Sequence, residues 1–378
     1  MKRYIYITIG VIAIFVLYSC KANPPQANNQ TQVTTGDSHS PIAGMYVLNE
    51  GNMGSNHCML DYYDMESGMY LHNIFPERNP GVIKEMGDVG NDLQIYGSKL
   101  YAVVNCSGLI IVMDAATAVE QGTIAVPNCR YIVFKDGKGY ISSFAGPVDM
   151  EQTKDRLGEV LEFDTATLQV LRTTTVGYQP EEMAIVGNKL YVANSGGYRP
   201  EFGYDNTVSV VDLTSFTETK RITVGMNPHR IEPFGNILCI STRGEYYGQV
   251  PSKIFLLNTQ TEQLEDSIDI GASELCAKGD SLYIIGSKFN YNTGKNTITY
   301  GIYNMSTRTL VSRRIITDNT AIEMPYGLAV NPNNGDIYIS DAKNYITPGT
   351  LHCFGPDGRH KWGVTAGEIP AHFAFRRK

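Results

Sequence analysis

A chain of 378 residues, 42% hydrophobic and only 18% charged, is long enough to bury a sizeable core, and its net charge of −7 without a basic cluster argues against nucleic acid as a main partner. No P-loop, dinucleotide fingerprint or nucleophile elbow stands in a strand-helix setting, so nucleotide-dependent and serine-nucleophile chemistry have no motif to rest on.

At the N-terminus, Lys2 and Arg3 precede an apolar run from Tyr4 to Leu17 that closes in Ser19-Cys20. This is the layout of a secretory signal over residues 1–19, with cleavage before Cys20 and lipidation of its thiol. The run is short and interrupted by Gly10, which suits a signal better than a spanning helix, although Tyr18 stands where a small residue is usual. A plain signal anchor is the bland alternative. Residues 20–41, rich in Asn, Gln, Thr and Pro, read as the lipidated cysteine and a flexible tether, because they hold too little apolar surface to fold.

Residues 42–378 contain one motif seven times: GMYVLNEG at 44, GSKLYAVVN at 97, GKGYISSF at 137, GNKLYVANS at 187, GNILCISTR at 235, GDSLYIIGS at 279 and GDIYISDA at 335. With Tyr46, Tyr101, Tyr140, Tyr191, Cys239, Tyr283 and Tyr338 as equivalents, the steps are 55, 39, 51, 48, 44 and 55 residues. Propeller blades repeat at roughly 40 to 50 residues. Most copies lead into a second alternating strand that ends at Asp114, Asp164, Asp212, Asn258 or Asn304, and short Asx side chains there hold a turn by accepting backbone N–H groups. A third strand follows, as in LRTTTVG at 171, and a fourth opens with PEEMAIVG at 180, PHRIEPFG at 228 or PYGLAVNP at 325. The expectation is an all-β, seven-bladed β-propeller with four-stranded blades. The first copy lacks a strand of the fourth type and PAHFAF at 370 supplies one, so the C-terminal strand closes the ring on the N-terminal blade.

The segment VGYQPEEMAIVGNKLYVANSGG with TVSVVDLTS resembles the YVTN or YncE-like propeller repeat, which covers essentially the whole mature chain and is informative about fold rather than function. The opening YVLNEGNMGSN with LDYYD is similar to the start of Bacteroides lipoprotein propellers, including the BtuG type of surface cobalamin-binding protein. That resemblance implies a non-enzymatic lipoprotein of the outer membrane, facing the cell exterior. It would bind vitamin B12 or related corrinoids as ligand, without an intrinsic cofactor or metal, and hand them to a TonB-dependent outer-membrane transporter.

The loops that lie on one face of such a propeller are rich in Tyr, Asn, Gly and Arg. They offer Phe144, Tyr198, Arg199, Phe202, Arg243, Tyr246, Tyr247, Phe289 and Tyr345, with Tyr131, His229, Arg230, Tyr326 and His372 from the segments opening the innermost strands. Rigid amphipathic rings and adaptable polar groups suit a large ligand with an apolar macrocycle and an amide rim. For any single tyrosine the bland reading is an ordinary surface ring; the clustering favours a binding face. His229 or His372 as a cobalt ligand is a further option, against which a lone loop histidine is more often a polar contact.

Two other readings stay open. A hydrolase or lyase propeller would gather Glu50, Asp88, Glu181, Glu182 and Glu274 around a hard cation, but no repeated acidic ring is present. A cell-envelope interaction scaffold would need no ligand. Beyond Cys20 the cysteines show no C-x-x-C pair; Cys239 and Cys276 read as small core residues, while Cys58, Cys106 and Cys129 fall near loop ends of neighbouring blades.

Overall fold

The structure is a computed structural model whose described residues are 29–82, 85–148, 156–199, 202–245, 249–290 and 294–378. Seven antiparallel sheets follow one another along the chain. Six are four-stranded meanders in which spatial order equals chain order. Their innermost strands are Gly90–Tyr96, Cys129–Lys135, Pro180–Val186, Pro228–Phe234, Glu274–Lys278 and Pro325–Val330. In the seventh sheet the innermost strand is C-terminal: Pro370–Arg377 pairs with Ile42–Asn49, placing Met45 opposite Phe375 and Val47 opposite Phe373. This is the expected seven-bladed propeller with its expected closure. Among the described residues no helix is long and apolar enough to cross a membrane.

The recurring motif is the second strand of every blade. Tyr46, Tyr101, Tyr140, Tyr191, Cys239 and Tyr338 are buried there, and Tyr283 is partly buried. These side chains join one blade to the next: the Tyr46 hydroxyl donates to the carbonyl of Ala115, and that of Tyr191 to Thr259. Burying a ring of this size contributes on the order of 2 kcal/mol. Apolar clusters accordingly lie between blades, as where Tyr101 and Val112 meet Ile132, Ile141 and Phe163 of the following blade. Outermost strands such as Val170–Thr175 are largely exposed.

Turn chemistry keeps these sheets in register. The motif glycines at 97, 137, 187, 235 and 279 all have positive φ, which the hairpin from innermost to second strand requires and other residues resist. The Asx turns form as expected: Asp114, Asp164, Asp212, Asn258 and Asn304 each accept backbone N–H groups two or three residues on.

One expectation is corrected. Part of the stretch assigned to the tether is ordered as a fifth strand, Gln30–Gln32, paired with the outer strand Met69–Leu71, and Val33 packs on the core. Backbone pairing to an open sheet edge needs no apolar side chains, so a polar composition does not prevent it. Residues 1–28, including the signal and Cys20, lie outside the described residues. The other six cysteines are free; Cys239 is buried as expected and Cys276 is partly buried against the core.

Candidate functional site

The upper face of the ring is organised by a device repeated five times. Val89, Asn128, Gln179, Asn227 and Ile369, each just before an innermost strand, have φ between 48° and 61°. The carbonyl of each accepts the N–H of the residue that leaves a second strand: Asn105 to Val89 at 2.8 Å, Phe144 to Asn128 at 3.1 Å, Ser195 to Gln179 at 3.1 Å, Arg243 to Asn227 at 2.8 Å and Glu50 to Ile369 at 2.9 Å. A left-handed backbone at β-branched Val or Ile costs roughly 1–3 kcal/mol and persists only where the surroundings enforce it. Its effect here is to bring the two kinds of upper loop together at the axis.

The floor of the face is a set of buried, mutually satisfied charges. Glu181 accepts from Arg130 Nε and Nη2 at 3.0 and 2.9 Å and from Arg243 Nη1 at 3.2 Å. Burial works against ionisation of Glu181, but the two guanidinium groups outweigh it and hold its carboxyl below the usual range. Arg230 is paired with Glu274 at 2.7 Å and donates to the Tyr131 hydroxyl at 2.6 Å. Tyr131 in turn meets His229 Nε2 at 3.3 Å. Burial first, then the charges of Arg243, Arg230 and Arg130, push the imidazole of His229 well below its ordinary range. Glu50 binds the Tyr326 hydroxyl at 2.9 Å and His372 Nε2 at 3.1 Å.

Several buried polar atoms of this floor have no partner among the described residues: Gln179 Nε2, both side-chain atoms of Asn227, and His229 Nδ1. Asn227 is wholly buried and Gln179 nearly so. Unsatisfied buried polar atoms cost about 1–3 kcal/mol each. All four atoms lie beneath the upper face, in residues of neighbouring blades.

Above the floor stands an aromatic rim. Tyr198, Phe202 and Phe289 are 54%, 48% and 45% exposed. Tyr198 stands beside Phe144, with ring centroids 6.1 Å apart, and the Arg130 guanidinium lies 4.8 Å above the Phe144 ring. Tyr345 packs edge-on against Tyr326 at 5.8 Å, next to exposed Ile346.

The candidate residues therefore separate into two groups. Tyr131, His229, Arg230, Tyr326 and His372 belong to the floor with Arg243, while Tyr198, Phe202 and Phe289 form the rim, and Phe144 and Tyr345 bridge the two. Arg199 lies within its own loop. It is buried between Tyr178, 3.8 Å away, and Phe202, and donates to the carbonyl of Gly203 at 2.7 Å, so it shapes its own loop. Arg230 is likewise buried and engaged by Glu274 and Tyr131. Tyr246 and Tyr247 lie outside the described residues. Gln179 and Asn227 were not singled out from sequence; their signal was the amide residue placed directly before Pro180 and Pro228.

Below the floor runs an axial cavity of about 320 Å³, lined in part by Asp92, Glu182, Arg230, Glu232, Glu274 and His372. Burial raises the carboxyls of Asp92, Glu182 and Glu274 above the ordinary range, and that of Glu232 to about 7. Among the described residues no three His, Cys, Asp or Glu side chains are placed to hold a metal ion together. Glu181 and Glu50 are each held by partners of their own, and Asp88 accepts the backbone N–H of Gly54.

Similarity to solved structures extends to the fold. A quinonprotein alcohol dehydrogenase-like protein from Bacteroides thetaiotaomicron aligns with a TM-score of 0.63 at 14% identity, over 89% of this chain and 79% of that one. A functionally unknown protein from Desulfotomaculum acetoxidans gives 0.61 at 13% identity, over 88% and 99%. Hydrazine synthase of Kuenenia stuttgartiensis gives 0.55 at 16% identity, over 71% and 77%. A comparison with curated proteins finds no match. The family profile described as a domain of unknown function, DUF5074, matches residues 43–350, and the chain belongs to that family.

Proposed function

We propose that the protein is a binding propeller that captures a cobalamin-type corrinoid on its upper face. The observation that carries this reading is the gathering, on one face, of the exposed rings of Tyr198, Phe202 and Phe289 above a floor of buried, paired polar side chains. A ligand with a broad apolar body suits this face, because the rings supply contact area at low entropic cost. The similarity of the opening segment to Bacteroides surface lipoproteins supports the same choice of ligand. On this reading the lipid on Cys20 holds the protein at the outer membrane, facing outward. The rim passes the ligand to a TonB-dependent transporter, and no catalytic residue, resident metal or cofactor is required.

Calorimetric titration of residues 29–378 with cyanocobalamin tests the proposal. Saturable one-to-one heat that weakens when Tyr198 and Phe202 are each replaced by alanine supports it. No heat at ligand concentrations up to about 1 mM overturns it.

A second reading, a hydrolase or lyase, draws on the carboxyls of Glu182 and Glu274 beside the axial cavity, which burial raises above their ordinary range, since buried carboxyls of this kind are suited to proton transfer. It requires a Glu182→Gln variant to lose turnover of a substrate while retaining its binding.

A further inference from the structure

Away from the upper face, the hairpin between the two outer strands of one blade, Pro348–Phe354 and His360–Glu368, brings two histidines together. His352 Nδ1 and His360 Nε2 are 3.2 Å apart, with the rings inclined at 61°. The strand register sets His352 opposite Gly363 and His360 opposite Phe354. A side chain at 363 would crowd the pair, because a Cβ there would lie 3.2 Å from His352 Nδ1 and 3.4 Å from His360 Nε2. Glycine leaves that flank open. The φ of Gly363 is not positive, so its backbone does not itself demand glycine.

We propose that His352 and His360 chelate a borderline divalent transition-metal ion, Zn²⁺ or Cu²⁺, at the hairpin surface. The geometry fits the class of ion. Two imidazole nitrogens each about 2.0–2.1 Å from one tetrahedral metal stand about 3.3 Å apart, close to the observed separation. To reach that arrangement each nitrogen lone pair turns about 35° away from the line joining the two nitrogens, as follows from the tetrahedral angle. Exposed His360 and half-buried His352 have room for this rotation. Imidazole is a favoured ligand for Zn²⁺ and Cu²⁺, whereas Mg²⁺ and Ca²⁺ call for oxygen donors. The carboxylate of Asp318 accepts the backbone N–H of His360 at 2.7 Å and adds negative charge beside the pair. Water completes the coordination on the solvent side. The site is independent of the corrinoid reading, since it lies on a different set of loops.

Zn²⁺ titrated calorimetrically into the full-length, untagged protein is the test, with Cu²⁺ electron paramagnetic resonance as a second readout of nitrogen ligation. The expected result is saturable one-to-one binding that weakens roughly tenfold or more in both His352→Ala and His360→Ala. His360 is exposed, so its replacement leaves the fold intact. Gly363→Ala, which closes the flank without removing a ligand, should weaken binding as well. Absence of saturable binding, or binding that either histidine variant leaves unchanged, overturns the proposal and leaves the pair as a hydrogen bond only.

Discussion

The carboxylate of Glu181 accepts two hydrogen bonds from the guanidinium of Arg130, a residue 51 positions away, where one side chain is wholly buried and the other nearly so. Arg243 adds a third from another blade. This joins three blades at the centre of the upper face. Replacing Glu181 with alanine strands buried positive charge, and breaking a buried pair in this way costs about 3–5 kcal/mol. Chemical denaturation should show a loss of that order.

The same pair sets a pH dependence. Because the folded-state carboxyl of Glu181 is held below its unfolded value, its contribution is present above the unfolded range and is lost as pH falls through the folded one. Acid unfolding of the native protein should therefore include a component below the usual carboxylate range. That component should be absent in Glu181→Gln, and identical acid profiles would contradict the assignment.

Glu232 acts in the opposite sense. Burial beside the axial cavity raises its carboxyl from 4.5 to about 7, so the folded protein binds this proton more tightly than the unfolded chain. Its contribution is present in full below 4.5 and is lost as pH rises to about 7. A Glu232→Gln variant should gain on the order of 1–3 kcal/mol over the native protein above neutrality, and little at low pH. Thermal melts across pH 4 to about 8 follow the difference directly.

At the rim, Tyr198→Ala and Phe202→Ala remove exposed rings, so melting temperatures should change little. Corrinoid affinity should fall by about tenfold for each, in line with roughly 1–1.5 kcal/mol for a stacked aromatic contact. Unchanged affinity in both variants would place the ligand elsewhere.

Much of the architecture was legible beforehand because it is written in near-neighbour chemistry. The strand alternation around Tyr46, Tyr101 and Tyr191, the hairpin glycines and the Asx turns act within a few residues of one another, and counting their copies gave the number of blades. Closure by the C-terminal strand followed from the one strand missing at the start. The fifth strand at Gln30–Gln32 was not legible, since edge pairing depends on a free sheet edge elsewhere rather than on the composition of the segment that joins it.

The site was legible only as a collection of loops. Sequence set Tyr131, His229, Arg230, Tyr326 and His372, from the segments opening the innermost strands, apart from loop residues such as Tyr198 and Phe202, yet did not tell which of them are engaged by buried partners. That division depends on pairings such as Arg230 with Tyr131, 99 residues apart, and His372 with Glu50, 322 apart. The sequence by itself determined the blades, because each repeat carries its own periodicity and turn signals. Only the tertiary structure decided which polar groups beneath the upper face are paired and which are not, because that depends on chain segments far apart in sequence converging on one axis, which no local pattern encodes.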